Sequence, residues 1–295
     1  MSTIEGSLRI ITNPAVLKFI MKGVAFTLIV SVVAVLLGIF VGSILALVRN
    51  YCNRGPARIF KWMAIVYIEI FRNTPLLLWI FVCLIFCPCP SFLQRKMFGL
   101  TSVEVKLLFK AATALVLFTS SVIAEIVRGG LNSVALGQFE AGHSQGFHVV
   151  QVMYYIVLPQ AYRNIVPTLL SQVVTTIKDS SYLANVAVIE LMARVRQVMN
   201  ASYQYNGLGT TNVSDVFVLF GLAAMIYFVI NFTLSCIVRS MQQRRIKAAP
   251  AAGRAAIRGL MDTRNAKGGP EGRNEGFIRN YHIAAVWKYG KADCL

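Results

Sequence analysis

From Gly23 to Val48 the chain reads GVAFTLIVSVVAVLLGIFVGSILALV, without one charged side chain. A stretch of that length matches the hydrocarbon thickness of a bilayer, about 30 Å, and exceeds the roughly 7 to 15 apolar residues of a cleavable signal segment. It predicts a retained membrane-spanning helix. Further apolar runs predict spans at about 62–87, 105–127, 158–178 and 214–238, about five in all. The 158–178 run is the most polar, since LPQAYRNIVPTLLSQVVTTIKD mixes Gln172, Thr175 and Thr176 with two prolines. Such a helix survives at membrane depth only when packed inside a bundle or facing water. The fold class is an all-α membrane protein, because 56% hydrophobic residues and a mean hydropathy of +0.62 exceed what one soluble core needs.

The net charge of +17 does not point to nucleic acid. Basic residues are spread between apolar runs and gather toward the C-terminus, as membrane-flanking charge does. Lys and Arg are equally numerous in the loops of the two sides; the tail beyond Lys247 adds eight more to the side of the Arg49–Lys61 loop, though charges in a long tail count weakly, and that loop is expected in the cytoplasm. The expected organisation is an extracytoplasmic segment 1–22, a membrane domain 23–245, and a Gly-, Ala- and Arg-rich cytoplasmic tail 246–295 expected to be disordered.

No catalytic centre emerges. The chain lacks a GxxxxGK[ST] phosphate loop, a GxSxG elbow and an HExxH pair, and its three histidines (His143, His148, His282) lie in polar loop or tail. Cys87 to Pro90 reads CPCP, but no neighbouring His or carboxylate completes a metal site, so Cys83, Cys87 and Cys89 read as small packed hydrophobes. No cofactor is expected on this chain.

Two stretches carry chemistry. The first, IEIFRNTPLLLW at Ile68–Trp79, places Glu69, Arg72, Asn73, Thr74 and Pro75 inside an apparent span. Counting about 1.5 Å per residue from Lys61 puts Arg72 roughly 16 Å deep. The i,i+3 spacing lets Glu69 and Arg72 neutralise each other, and Pro75 frees the carbonyl of residue 71. Two readings stand: this helix lines a solute path, or the pair locks helices together. Glu125, Lys178 and Asp179 are further path or gate candidates on the same reasoning. Between 181 and 199, Glu190 and Arg194 share a helix face at i,i+4.

The second stretch follows the third span. It reads EAGHSQG at Glu140–Gly146, then, after nine residues, Ile156, Leu158 and Pro159. Glu140 offers charge near a helix start, Ala141 and Gly142 almost no side chain, and Gly146 a left-handed redirection. Phe147, Val149, Val150 and Met153 then offer apolar contact, so the stretch suits a docking element.

This pattern, E-A-G-xxx-G-(x9)-I-x-L-P, resembles the cytoplasmic loop of the permease subunits of bacterial ATP-binding-cassette importers. That family carries a second Ala where Gly142 stands. IEIFRNTPLLL, AEIVRGGLNSV, LPQAYRNIVPTLLSQ and TTIKDSSYLANV look like the branch that imports polar amino acids, and the resemblance covers about 20–245. It implies the type I importer permease fold, with a coupling loop at about 136–157. Glu140, Ala141, Gly142, Gly146, Ile156, Leu158 and Pro159 would contact an ATPase. It further implies ATP-hydrolysing subunits that hold ATP and Mg, a second permease subunit, same or homologous, an extracytoplasmic solute-binding protein, and the cytoplasmic membrane of a bacterium. An ATP-independent channel or ion-coupled carrier, or a scaffold without transport, are the alternative readings.

Overall fold

The computed structural model describes residues 3–52, 55–91, 100–186 and 188–266, and its elements are helical. They run α1 Thr3–Thr12, α2 Pro14–Tyr51, α3 Ala57–Arg72, α4 Leu76–Phe86, α5 Ser102–Asn132, α6 Leu136–Ser144, α7 Val149–Gln151, α8 Leu158–Asp179, α9 Leu191–Asn200, α10 Ser202–Tyr205 and α11 Val213–Ala266. The chain divides into two units, Met1–Gln242 and Gln243–Leu295, and the bundle described below is the first. Of the expected tail, α11 takes in residues up to Ala266, while 267–295, with His282, lie outside the described residues.

Among the described residues, three helices are long and apolar enough to cross a membrane: α2, α5 and Val213–Gln243 of α11. The run expected as one straight span at 62–87 is instead two helices, α3 and α4, bent by 113° at the break. Pro75 is the physical reason. It disfavours helical geometry at Thr74 and carries no N–H, so α3 stops at Arg72 and a new helix begins after Pro75, whose own backbone is extended (ψ 136°). Side chains reinforce the carbonyls of the last turn of α3. Asn73 donates to the Glu69 carbonyl at 2.9 Å and Thr74 to the Ile70 carbonyl at 2.6 Å. Trp79 braces the bend from the far arm, donating to Thr74 Oγ1 at 2.6 Å and stacking on Phe71 at 4.1 Å. The remaining expected crossing, 158–178, is helix α8, whose polar composition sets it apart from the three long apolar helices.

The bundle is built around α2 against α5. Ala34, Gly38, Gly42 and Ala46 are buried four residues apart along α2. A Cβ at Gly42 would lie 2.8 Å from the Ser120 carbonyl oxygen and 3.0 Å from the Ala124 nitrogen, so backbone meets backbone. Lipid tails are as apolar as leucine, and helices in lipid associate by this close packing of small residues rather than by a hydrophobic drive. Gly130 repeats the device between α5 and α8, since its Cβ would sit 2.4 Å from Ile165. A polar knot closes the bundle at the other end from Asn132: Asp215 accepts from Ser7 at 2.6 Å and from Asn206 at 2.8 Å, with all three residues fully buried. It ties α1 to the start of α11.

Candidate functional site

The loop after α5 folds as a helical elbow. α6 ends at Ser144, and Gly146 takes the left-handed conformation at φ 81°. Phe147 N–H donates to the Gly142 carbonyl at 3.1 Å and Gly146 N–H to that of His143 at 2.9 Å, the paired bonds of a glycine-terminated helix end. A further turn, α7, leads into a π-helical segment, Val152–Val157, which runs straight into α8. Residues five apart share a face in a π-turn, and so Val152 and Val157 are both buried. Val152 and Ile156 close over Gly142, where a Cβ would meet Val152 at 2.8 Å and Ile156 at 3.0 Å. The glycine that departs from the family's alanine is therefore the residue this packing admits.

Glu140, Ala141, His143, Ser144 and Gly146 are exposed, and Ile156 and Leu158 half-buried beneath them. Glu140 stands in the middle of α6 rather than near its start, and among the described residues its carboxylate has no partner. Around it, Leu136, Phe147, Val149, Val150 (77% exposed), Tyr154 and Tyr155 present bare apolar surface. Met153 packs into the core instead. A polar loop with that much uncovered apolar area is a surface made for a partner.

The charges expected along a solute path separate into two places. Glu125 receives Arg49, whose guanidinium sits directly on Oε1, and Arg128, whose Nη2 lies 2.8 Å from Oε2. Arg72 stands 4.0 Å from Oε2, and Glu69 pairs with Arg49 at 3.6 Å. The expected Glu69–Arg72 pair does not form: cross-helix partners on α2 and α5 win over the local i,i+3 spacing. Asn73 also donates to the Glu69 carboxylate, at 3.1 Å. The depth of Arg72 changes as well, because the 16 Å count assumed a straight helix. Arg72 lies beside Arg49 and Arg128, two and four residues from the ends of their helices, and Asn50 bonds Asn132 at 3.0 Å at that same end. The cluster sits at a membrane edge, on the side of α6.

Lys178 belongs elsewhere. With Ser181, Met192, Phe220, Ala223 and Tyr227 it lines a cavity of about 270 Å³. Asp179 closes α8 next to it, half-buried. Behind the cavity wall lies Glu190, which its spacing set on one helix face with Arg194. Glu190 does not pair with Arg194. Its side chain, in a residue only 1% exposed, caps α9 by accepting from Ala193 N–H at 2.6 Å and accepts from the Tyr227 hydroxyl at 3.1 Å and the Thr27 hydroxyl at 3.5 Å. Arg194 lies over the Phe19 ring at 4.0 Å. The overlooked signal was capping: an acceptor side chain immediately before LMARVRQVMN.

Burial pushes the Glu190 carboxyl above its ordinary value, against the lowering effect of its hydrogen bonds. A carboxyl raised in the folded state binds its proton more readily there than in the unfolded chain. Its contribution to stability is therefore complete below the unfolded value, about 4.3, and falls as pH rises through the folded one. Thermal unfolding of the solubilised protein is expected to show Glu190→Gln gaining more over the native chain at pH 7.5 than at pH 4. An equal difference at both pH values would contradict this.

A helical bundle with three to four membrane-crossing elements and an exposed docking elbow defines a multi-pass membrane protein that works with a partner. The family described as the inner membrane component of binding-protein-dependent transport systems matches residues 34–247, and the chain belongs to that family. Among curated proteins it is similar to the probable glutamine ABC transporter permease protein GlnP of Bacillus subtilis, 33% identical over 231 residues, covering 78% of this chain and 94% of that one. It is also similar to the arginine transport system permease protein ArtQ of the same organism, at 28% over 228 residues, 77% of this chain and 93% of that one. The crystal structure of an amino acid ABC transporter with histidines superposes with a TM-score of 0.60 at 26% identity, covering 77% of this chain and 94% of that chain. The inward-facing MetNI methionine ABC transporter shares the fold, at TM-score 0.55 and 20% identity over 78% of this chain and 99% of that one. The chain is thus a permease component with the importer fold.

Proposed function

We propose that this chain carries a polar amino acid across the cytoplasmic membrane of a bacterium by alternating access, using ATP hydrolysed on separate subunits. The observation that carries this reading is the elbow at Glu140–Gly146, rigid underneath and bare on top. Glycine termination at Gly146, the seat of Gly142 on Val152 and Ile156, and the continuous helix into α8 give a push on α6 a stiff route into the bundle. The ATP and Mg belong to the partner ATPase dimer, and this chain supplies no catalytic group. A second permease subunit, same or homologous, an extracytoplasmic solute-binding protein and membrane lipid complete the partners, and nucleic acid is not among them.

For the solute itself, the cavity at Lys178 offers a place. It sets an ammonium group beside an apolar wall, with the Tyr227 hydroxyl bonded to the buried Glu190 carboxyl behind it. The ammonium is a partner for the carboxylate that glutamine and arginine, named in the relatives' descriptions, both carry. Copurification with an ATP-hydrolysing subunit tests the assembly. Hydrolysis by the complex should rise when a glutamine- or arginine-loaded binding protein is added, and a chain that never recruits a nucleotide-hydrolysing partner would contradict the proposal.

A further inference from the structure

The charge cluster at the α6 end of the bundle contains three guanidinium groups, Arg49, Arg72 and Arg128, and two carboxylates, Glu69 and Glu125. One positive charge is left over. Its location is visible in the geometry. Arg49 and Arg128 are in direct contact with Glu125, whereas Arg72 stays 4.0 Å away, beyond hydrogen-bond reach, and has no hydrogen-bond partner among the described residues. Its side chain is 42% exposed. Arg72 is thus the most loosely held of the three, sharing at 4.0 Å a carboxylate already taken by two closer guanidinium groups, and its planar fork suits two oxygens of one phosphate or carboxylate group that would balance the excess charge.

Position identifies the anion's source. Along α2 the nearest charged residues flanking the apolar run are Lys22 and Arg49, about 40 Å apart at 1.5 Å per residue, the thickness of a bilayer with its polar margins. Arg49 thus stands at headgroup level, and its ion pairs hold Glu125, Arg128 and Glu69 at that level with it. Arg72 and Arg128 both approach Glu125 Oε2, so the two guanidinium groups stand close enough for one further anionic group beside that carboxylate to reach both. Leading away from this spot along α3, Ile70, Val66, Met63 and Ile59 in turn are exposed and apolar. Headgroup-level cations next to a bare aliphatic helix face fit a molecule with an anionic head and acyl chains.

We propose that Arg72, with Arg128, forms a binding site for the phosphate of an anionic phospholipid in the leaflet on the α6 side, and that this lipid completes the clasp joining α2, α3 and α5. Only the naming of that leaflet as the cytoplasmic one rests on the importer reading; the site does not depend on what solute is carried.

The test is native mass spectrometry of the full chain, delipidated in detergent and titrated with phosphatidylglycerol or phosphatidylcholine, with glycerol 3-phosphate as a free-anion arm. The native chain should retain phosphatidylglycerol about tenfold more strongly than phosphatidylcholine, a discrimination of the size a charge-assisted pair supplies. Arg72→Gln should abolish that preference, while Arg72→Lys, which keeps the charge without the fork, should retain part of it and the native fold. Glycerol 3-phosphate should compete only weakly, because it lacks the chains that α3 would cover; strong competition would overturn the lipid assignment in favour of a free anion. Equal retention of both lipids by the native chain, or an unchanged preference in both Arg72 variants, would overturn the site.

Discussion

Replacing Gly42 by Leu is expected to abolish the folded bundle. Even one added carbon would lie 2.8 Å from the Ser120 carbonyl and 3.0 Å from the Ala124 nitrogen, and both are backbone atoms of α5 that no rotamer change can move. The helices would have to separate along the longest contact in the protein. Overpacking of this kind costs about 1 to 3 kcal/mol in ordinary cores, and more where backbone stands against backbone. A small number of kcal/mol decides whether such a chain folds at all. Size-exclusion chromatography in detergent should show the Gly42→Leu chain aggregated or heat-labile. Gly221→Leu serves as the matched control, because nothing lies within 4 Å of a Cβ there, and it should behave as the native chain does.

Reversing the charge at Glu140 should have the opposite signature, with a sound fold and lost function. The residue is exposed, sits mid-helix in α6 and has no side-chain partner among the described residues, so Glu140→Arg leaves the bundle's packing untouched. In a docked complex the substitution sets a cation where a carboxylate was read. Charge errors at interfaces of this type cost about 2 to 5 kcal/mol, or roughly thirty-fold and more in affinity. Uptake by the assembled transporter should fall by at least that factor while the thermal stability of the solubilised chain is unchanged. A mutant that unfolds would make Glu140 structural, and one that transports normally would remove it from the interface.

These two residues also mark what the sequence alone discloses. The elbow is legible because its demands are local: a left-handed position calls for glycine at Gly146, a close approach calls for a small residue at Gly142, and both constraints act within a few residues. The membrane class is legible for the same reason, since an uncharged run such as Gly23–Val48 admits few environments. The charge network is not. Spacing proposed Glu69 with Arg72 and set Glu190 and Arg194 on one helix face, yet partners on other elements hold Glu69, Arg72 and Glu190 instead. Arg49 and Glu125 took the first two residues, and Tyr227 and Thr27 with the α9 backbone took Glu190. No periodicity within one helix reports where another helix will lie. The bend at Asn73–Pro75 lies between these cases: Pro75 announced a break, but hydropathy reads the same for a straight helix and for two arms at 113°.

The elbow as receiver of work from a nucleotide-hydrolysing partner is the claim on which the functional account stands. Its most direct test is uptake of labelled glutamine and arginine into proteoliposomes, with the chain alone and with its copurified ATPase subunit, binding protein and ATP. The account predicts no accumulation against a gradient by the chain alone and ATP-dependent accumulation by the assembly. Full-rate uptake by the chain alone, indifferent to ATP, would contradict it.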